Sequence, residues 1–347
     1  MSVLRIVGIL CAFVSFGVSF YRLRSHSETR TDVWLLVVFG LVLALVSLFP
    51  SVVNFPAELL SLRQEQRGRI IALLLISNAF LWFLCLYERS KAEQRHYQFD
   101  GLVRQLTVRD FFGNPENAIV PGSVVVLMPA HNEAKNLGMV LPRIPMKIQS
   151  VPVSILLIDD GSSDNTGDIA RRNGVLVATH AVSRGGGAAL KTGYEIVRRL
   201  SSSAVVTMDA DGQHNPEEIG TLVGPVVTQE ADFVIGSRVL GSSDKYSTIR
   251  AYGVQVFSKL INMLVGAKIT DCSSGFRAFN RRVLEDCLLI EEQYHTAELI
   301  IEASKRGFRI QERPVNIAAR LSGRSKKGSD YRYGLSFLLT ILKTWLR

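Results

Sequence analysis

The run Met208-Asp209-Ala210-Asp211-Gly212-Gln213 directly follows Ala204-Val205-Val206-Thr207, four residues that are typical of a buried strand. Two carboxylates separated by one residue at the end of a strand can bind a hard divalent cation such as Mg²⁺ or Mn²⁺, because these ions prefer oxygen ligands. An isolated Asp-x-Asp is also common in loops, where it forms turns or caps helices. The neighbouring sequence motifs are therefore needed to distinguish a metal site from a turn.

The surrounding chain alternates short apolar runs with amphipathic segments. Such β-α-β alternation predicts an α/β domain with a mainly parallel sheet and helices on its faces. The predicted strands are Val124–Met128, Val153–Ile158, Val175–His180, Ala204–Met208 and Phe233–Ile235. The helical segments between them include Ala134–Arg143, Thr166–Asn173 and Ala188–Leu200.

Polar motifs follow three of these strands. They read P-A-H-N-E (residues 129–133), D-D-G-S-S-D-N-T (159–166) and D-A-D-G-Q (209–213). Ligands of open α/β sheets bind outside the carboxyl ends of the strands, so we expect one cleft to hold all three motifs. The second motif is equally a good turn and helix cap, and both uses can hold together. The glycines at 185–187 predict either a phosphate-binding loop that opens a helix or a flexible connector.

The first ninety residues are strongly apolar. Val3–Phe20, Val33–Phe49 and Ile70–Tyr87 each approach the roughly 20 residues that a helix needs to cross a bilayer. We expect about three transmembrane helices over residues 1–90 and a helical connector over 91–120. A cleaved signal peptide is the alternative for the first run, but Arg5 is the single basic residue near its start and no cleavage site is clear.

Basic residues after the first and third runs predict a multi-pass protein of the cytoplasmic membrane, with the domain after residue 120 facing the cytoplasm. Arg63, Arg67 and Arg69 between the second and third runs argue against this topology. Residues 328–347 contain an apolar stretch that is too short to span a bilayer and carries Lys343 and Trp345, which predicts an interfacial amphipathic helix. A helix packed in the core of the preceding domain is the alternative for this tail.

The net charge and the cysteine spacing indicate which classes of ligand the protein binds. The 347 residues carry a formal net charge of +9, and 47% of them are hydrophobic. A basic excess suits nucleic acid, anionic lipid or phosphorylated substrates. The chain has no long basic run interleaved with aromatic residues, so we expect lipid head groups and phosphates rather than nucleic acid. Its four cysteines show no C-x-x-C spacing, which argues against a disulfide framework or a zinc site.

Further motifs complete an ordered set: R-G-G-G-A-A-L-K-T-G (184–193), G-S-R (236–238), D-C-S-S-G-F-R (271–277) and R-L-S-G-R-S-K (320–326). With the strand-end motifs they resemble family 2 glycosyltransferases, above all the dolichyl-phosphate mannose and glucose synthases and bacterial polyprenyl-phosphate enzymes. The resemblance covers about residues 121–327 and implies a Rossmann-like GT-A fold. Residues 1–90 resemble small three-helix bacterial membrane proteins that often accompany lipid-linked glycosyltransferases.

The resemblance implies an inverting transfer of a sugar from a nucleotide diphosphate to polyprenyl phosphate, with Mg²⁺ or Mn²⁺ as cofactor. It assigns the donor to Pro129, Ala130, Asn132, Glu133, Asp159, Asp160 and Asp209. It assigns the cation to Asp209, Asp211 and Gln213, and the acceptor phosphate to Arg238, Arg250 and Lys326. The implied catalytic residues are Asp209, Asp211, Arg238 and Asp271.

Some positions leave more than one role open. Asp271 either orients Arg277, acts near the acceptor, or forms a structural ion pair with Arg277. Glu298 is either a charge on a helix surface or a residue near the cleft. His131 stands where the family usually has Tyr, and Cys272 lies inside the D-x-x-S-G-F-R motif. The other histidines show no metal spacing, so we expect surface or capping roles for His180, His214 and His295.

The expected partners are a nucleotide sugar of the GDP-mannose or UDP-glucose type, UDP-N-acetylglucosamine included, a polyprenyl phosphate and the lipid bilayer. A homo-oligomer stays among the open options. A processive polysaccharide synthase is disfavoured because no Q-x-x-R-W motif follows the domain, and a nucleotidyltransferase because no Gly-rich turn follows the first strand. A glycosyltransferase with another glycan or lipid acceptor, and an inactive scaffold or accessory of lipid-linked sugar transport, remain alternatives.

Overall fold

The computed structural model describes residues 3–24, 30–53, 66–243, 248–291, 294–319 and 330–347. The chain divides into two compact units, Met1–His96 and Tyr97–Arg347. The sequence places a boundary at residue 90, six residues before the division in the structure.

The first unit is helical. It contains α1 (Val3–Arg24), α2 (Arg30–Leu48), a short 3₁₀ turn (Pro50–Val53) and the first part of α3 (Gln66–Gly113). Helices therefore form where the sequence predicts them. Among the residues that the structure describes, however, no helix combines the length and the apolar character needed to cross a membrane. The predicted transmembrane spans are thus not supported.

A mixed eight-stranded sheet forms the centre of the second unit. Its order is β2-β3-β1-β5-β7-β6-β8, and β4 pairs with β3. β7 runs antiparallel to both of its neighbours, whereas the β1–β3, β1–β5, β3–β4 and β6–β8 pairs are parallel. The strands are β1 (Ser123–Ala130), β2 (Lys147–Ile148), β3 (Val151–Asp159), β4 (Leu176–Thr179), β5 (Ser202–Thr207), β6 (Phe233–Ser243), β7 (Arg277–Phe279) and β8 (Ile310–Ile317).

Helices cover both faces of this sheet. They are α4 (Ala134–Val140), α5 (Thr166–Arg172), α6 (Gly186–Arg198), α7 (Ile219–Val227), α8 (Thr248–Val265), α9 (Arg281–Asp286), α10 (His295–Lys305) and α11 (Asp330–Leu346). Side chains alternate between the two faces of a strand. In β1, Val125 and Leu127 enter one hydrophobic core while Val124 and Val126 enter the other. The predicted α/β class is confirmed.

The last turns of α3 pack against one of these cores. Val103, Thr107, Val108 and Phe111 are buried at helical spacing, and Val108 and Phe111 belong to the core beside β1 and β3. The segment predicted as a connector therefore contributes to the second unit.

The tail helix α11 also packs against this unit. Phe337 and Ile341 are buried, and the Phe337 ring lies 5.0 Å from that of Phe257 and 5.5 Å from that of Tyr294, centroid to centroid. The alternative of a core helix thus describes one face of α11. Leu335, Leu339 and Leu346 of the same helix are exposed, and the interfacial role stays a prediction for these residues.

Candidate active site

A cavity of about 190 Å³ lies at the carboxyl ends of β1, β3 and β5. Side chains from all three strand-end motifs line it, as expected from the parallel arrangement of these strands. Six of the residues implied by the resemblance lie here: Pro129, Ala130, Glu133, Asp160, Asp209 and Asp211. His131, Gly186 and Ala210 complete the lining.

The loop after β5 is held in one conformation by its own polar groups. The backbone N–H of Asp209 donates to Nδ1 of His214 over 3.0 Å, and that of Gln213 donates to Oδ1 of Asp211 over 3.0 Å. Gly212 has a φ of +79°, which glycine adopts without strain. His214 is buried and stacks on Phe276 with ring centroids 4.8 Å apart. Of the two predicted roles of His214, the surface role is therefore wrong, whereas its bond to a backbone N–H fits the capping role.

The three residues proposed to bind a cation differ in their surroundings. Within the described part of the chain, no group hydrogen-bonds to the carboxylate of Asp209. Gln213 lies outside the lining of the cavity, and its amide donates to the carbonyl of Ala318 over 3.4 Å. No cluster of three or more His, Cys, Asp or Glu side chains suited to a metal occurs among the described residues. Of the three proposed ligands, the structure thus brings Asp209 and Asp211 to the same cavity.

Asp160 is saturated with hydrogen bonds from the protein. Its Oδ1 accepts from Nδ1 of His180 and from the backbone N–H of Arg184, and its Oδ2 accepts from Oγ of Ser183 and the backbone N–H of Gly185, each over 2.8 Å. Burial alone would raise the pKa of Asp160, but these four hydrogen bonds hold its pKa below the ordinary value of 3.8. The Asp160 carboxylate therefore fixes the Ser183–Gly185 loop beside the cavity.

His180 is a site residue that the sequence interpretation missed. It is buried, and its Nε2 lies 2.8 Å from Oγ1 of Thr192 on α6. Because the Asp160 carboxylate only accepts, Nδ1 of His180 must carry the proton of their hydrogen bond. The pairing of Asp159 with Thr179 across β3 and β4 brings His180 next to Asp160, a proximity that the strand predictions could have revealed.

Asn132 and Asp159 hold the loops beside the cavity and are not part of its lining. Oδ1 of Asn132 accepts from the backbone N–H of Ser163 over 2.8 Å, and Oδ1 of Asp159 accepts from that of Ser162 over 3.0 Å. Asn132 has a φ of +58°, in the left-handed region that Asn tolerates better than most residues. His131 donates from Nδ1 to the carbonyl of Asp160 over 2.7 Å. The bonds of Asn132 and His131 tie the β1 loop to the β3 loop, and the bond of Asp159 holds the β3 loop itself.

Arg238 and Asp271 form a bidentate pair. Nε of Arg238 donates to Oδ2 of Asp271 over 2.6 Å and Nη2 donates to Oδ1 over 3.0 Å, while Ser273 accepts a further bond from Nη2 over 2.6 Å. The side chain of Asp271 is 0% exposed and that of Arg238 is 16% exposed. Burial alone would raise the pKa of Asp271, but Arg238 holds that pKa below its ordinary value.

Of the roles left open for Asp271, the ion pair with Arg277 is wrong. Arg277 is buried and donates to backbone carbonyls, those of Ser274, Thr296 and Cys272. Burial lowers the pKa of Arg277 to about 10. The physical reason is that β6 and the 271–277 turn place Asp271 against Arg238, whereas Arg277 begins β7 and points among carbonyl groups.

Two residues implied to bind the acceptor cannot be placed. Lys326 lies outside the described residues, and so does the side chain of Arg250, although its backbone belongs to α8.

Comparisons with known proteins agree with this arrangement. The model of the family described as "Glycosyl transferase family 2" matches residues 125–288. The polyprenol monophosphomannose synthase of Mycolicibacterium smegmatis is 33% identical over 225 residues, which cover 60% of this chain and 82% of the relative. The UDP-N-acetylglucosamine–dolichyl-phosphate N-acetylglucosaminyltransferase of Methanococcus voltae is 28% identical over 214 residues, which cover 55% of this chain and 84% of the relative.

Among solved structures, glucosyl-3-phosphoglycerate synthase from Mycobacterium tuberculosis, in complex with Mn²⁺, UDP-glucose and phosphoglyceric acid, superposes with a TM-score of 0.51. The match is 23% identical and covers 65% of this chain and 80% of that chain. At this identity the likeness shows a shared GT-A-like fold. The sequence matches show that the chain belongs to glycosyl transferase family 2 and is a glycosyltransferase.

Proposed function

We propose that this enzyme transfers a sugar from a nucleotide diphosphate to a polyprenyl phosphate. The observation that carries the proposal is the placement of Asp209 and Asp211 in one cavity with the P-A-H-N-E and D-D-G-S motifs. The names of the two sequence relatives, one a polyprenol monophosphomannose synthase and the other a transferase for dolichyl phosphate, support the acceptor class. They differ in the sugar, so donor identity is a matter for experiment.

The two carboxylates fit a divalent cation that is shared with the substrate. Mg²⁺ is commonly bound by one or two carboxylates together with substrate phosphates and water, so a cage of protein ligands is not required. Asp209 and Asp211 would hold Mg²⁺ or Mn²⁺. When bound, the cation would stabilise the negative charge that develops on the departing nucleotide diphosphate.

Arg238 would position the acceptor. A phosphate monoester has a second pKa near 6 and is largely ionised at neutral pH, so a strong general base is not needed. What the nucleophile needs is orientation, because a well-oriented pair of reactants removes much of the entropic barrier. Asp271 and Ser273 hold the guanidinium of Arg238 in a fixed plane. A guanidinium fixed in this way can donate charge-assisted hydrogen bonds to a phosphate.

The direct test uses the purified full chain with undecaprenyl phosphate and radiolabelled GDP-mannose, UDP-glucose or UDP-N-acetylglucosamine, with Mg²⁺, Mn²⁺ or EDTA. We expect label in the lipid extract from one of these donors and its loss with EDTA. A lipid extract without label from every donor, in the presence of either metal, would contradict the proposal.

A lipid acceptor also accounts for an apolar face on the second unit. The adjacent helices α8 and α11 expose stripes of apolar side chains at helical spacing, with lysines beside them. The apolar residues are Tyr252, Val256, Met263, Leu335, Leu339, Leu342 and Leu346, and the lysines are Lys259 and Lys343. Apolar side chains flanked by basic ones suit the surface of an anionic bilayer. We therefore propose that this face, the α8–α11 face, binds the cytoplasmic membrane from the cytoplasmic side.

A fluorescent probe tests this membrane contact. In a Cys11→Ser, Cys85→Ser background, an environment-sensitive dye is attached at Leu339→Cys or, as control, at Met146→Cys, an exposed apolar site away from both helices. We expect a blue shift with vesicles that contain phosphatidylglycerol at position 339 only, because the dye enters the apolar boundary. Equal emission at 339 with and without vesicles would refute the contact. A blue shift that depends on protein concentration and not on vesicles would indicate that this face binds a second copy of the chain instead of the bilayer.

A further inference from the structure

The loop Ser183–Gly186 forms one wall of the cavity and is anchored from within by Asp160. Gly186 lines the cavity and begins α6. Gly185 has a φ of +95°, a conformation that favours glycine. In this conformation the backbone N–H groups of Arg184 and Gly185 both donate to the Asp160 carboxylate. The position of Gly186 is therefore determined by the backbone of the two residues before it.

The same loop also contacts α3, through the side chain of Arg184. Nε of Arg184 donates to Oδ1 of Asp100, and this ion pair is largely buried, with side-chain exposures of 15% and 3%. The guanidinium of Arg184 lies over the ring of Phe99, with its Cζ 4.9 Å from the ring centroid. Arg184 thus contributes its backbone to Asp160 and its side chain to two consecutive residues of α3.

α3 can serve as a fixed support at this point. Two turns after Asp100, Oγ1 of Thr107 donates to the carbonyl of Thr179 over 3.3 Å, and Val108 and Phe111 lie in the core. Asp100 and Phe99 precede residues 125–288, the segment that matches the family. The support for the loop therefore comes from a part of the chain outside that segment.

We propose that Asp100 and Phe99 are positioning residues for the donor: through Arg184 they hold the Ser183–Gly186 loop in the shape that receives the donor diphosphate. This rests on the proposed function of the cavity. A buried charge pair keeps its geometry because breaking it leaves a charge uncompensated, so Arg184 cannot leave Asp100 at low cost. Because the Ser183–Gly186 loop is already held in place, it does not have to be ordered when the donor binds, and this favours binding.

The test compares Asp100→Asn with Asp100→Glu. Removing the charge of Asp100 should raise the KM for the donor and the dissociation constant of the matching nucleoside diphosphate with Mn²⁺ about tenfold, as expected for one lost charge-assisted hydrogen bond. The KM for undecaprenyl phosphate should stay unchanged. Asp100→Glu should recover most of the donor affinity. Asp110→Asn, which removes an exposed pair with Arg109 on the same helix, should leave both constants as they are.

A second variant covers the case in which Asp100→Asn does not fold. Phe99 is 43% exposed, so Phe99→Leu should keep the fold, and it should weaken nucleotide binding a few-fold through loss of the cation–π contact. Nucleotide binding by calorimetry that is equal in wild type, Asp100→Asn and Phe99→Leu would overturn the inference while leaving the proposed function standing. A wild-type chain that binds no nucleoside diphosphate would overturn both.

Discussion

Asp211→Asn should abolish sugar transfer and leave the fold intact. The substitution removes the charge that a divalent cation requires, and we expect kcat/KM to fall by on the order of 10³-fold, the scale of several kcal/mol of charge stabilisation. The side-chain oxygen of Asn can still accept the hydrogen bond from the backbone of Gln213, so the loop should keep its shape. Steady-state transfer to undecaprenyl phosphate measures the first effect and thermal unfolding the second.

Asp168→Asn is the matched control for this prediction. Asp168 is an exposed aspartate on α5 whose contact is a surface pair with Arg171, and such pairs contribute little to stability. Its variant should transfer sugar at the rate of the wild type. Full activity in Asp211→Asn would remove the proposed role of this carboxylate.

Arg238→Gln should reduce both stability and transfer. The substitution leaves the carboxylate of Asp271 buried without its charged partner, at a cost of about 3–5 kcal/mol for a pair of this kind. Transfer should also fall, because the acceptor phosphate would lose its proposed partner. Denaturant unfolding and the KM for undecaprenyl phosphate measure the two effects.

Arg238→Lys separates these two effects. It keeps a positive charge beside Asp271 but loses the planar fork, so stability should largely return while the KM for the acceptor stays high. Arg309→Gln breaks the more exposed pair with Asp232 and serves as the control, with little change expected in either measurement. A normal KM for undecaprenyl phosphate in Arg238→Lys would exclude Arg238 from acceptor binding.

The stability difference between wild type and Arg238→Gln should depend on pH. The pKa of Asp271 is lowered in the folded protein, so its pairing stabilises the fold at pH values above the ordinary value of 3.8. This stabilisation is lost as the pH falls through the lowered folded-state pKa, because a protonated Asp271 no longer needs Arg238. The difference between the two proteins should therefore be largest near neutral pH and shrink on acidification.

The sequence predicts the parallel part of the fold well because its signal is local. The apolar runs that form β1, β3, β4, β5 and β6 stand out between amphipathic segments, and the structure has strands at all five. β7 has three residues, and β8 has three consecutive polar residues before its proline, so neither shows a distinct apolar run. Their place in the sheet depends on pairing with β6, a contact between distant parts of the chain.

In the candidate site, too, contacts between distant parts of the chain could not be predicted from local sequence patterns. Motif order places Asp209, Asp211 and Asp160 at one edge of the sheet, which the structure bears out in its geometry. Which partner each charged group takes depends on packing between loops. Arg238 rather than Arg277 pairs with Asp271, and the only carboxylate partner that the structure gives His180 in the described chain is Asp160.

The burial of Glu298 could not be predicted from the local sequence pattern. It is fully buried and accepts from the backbone N–H groups of Ile290 and Glu291 and from Arg347. Burial raises its pKa above the ordinary value of 4.5. A glutamate on an amphipathic helix is usually exposed, so the sequence alone could not identify this role in joining α10, the loop before it and the end of α11.

The most direct test of the account measures Mn²⁺ binding by electron paramagnetic resonance, because the central claim is that Asp209 and Asp211 hold a cation together with the donor diphosphate. We expect the wild-type chain to immobilise Mn²⁺ when the matching nucleoside diphosphate is present, and Asp211→Asn not to do so. An identical bound-Mn²⁺ signal from wild type and Asp211→Asn, under conditions in which both proteins are folded, would contradict it.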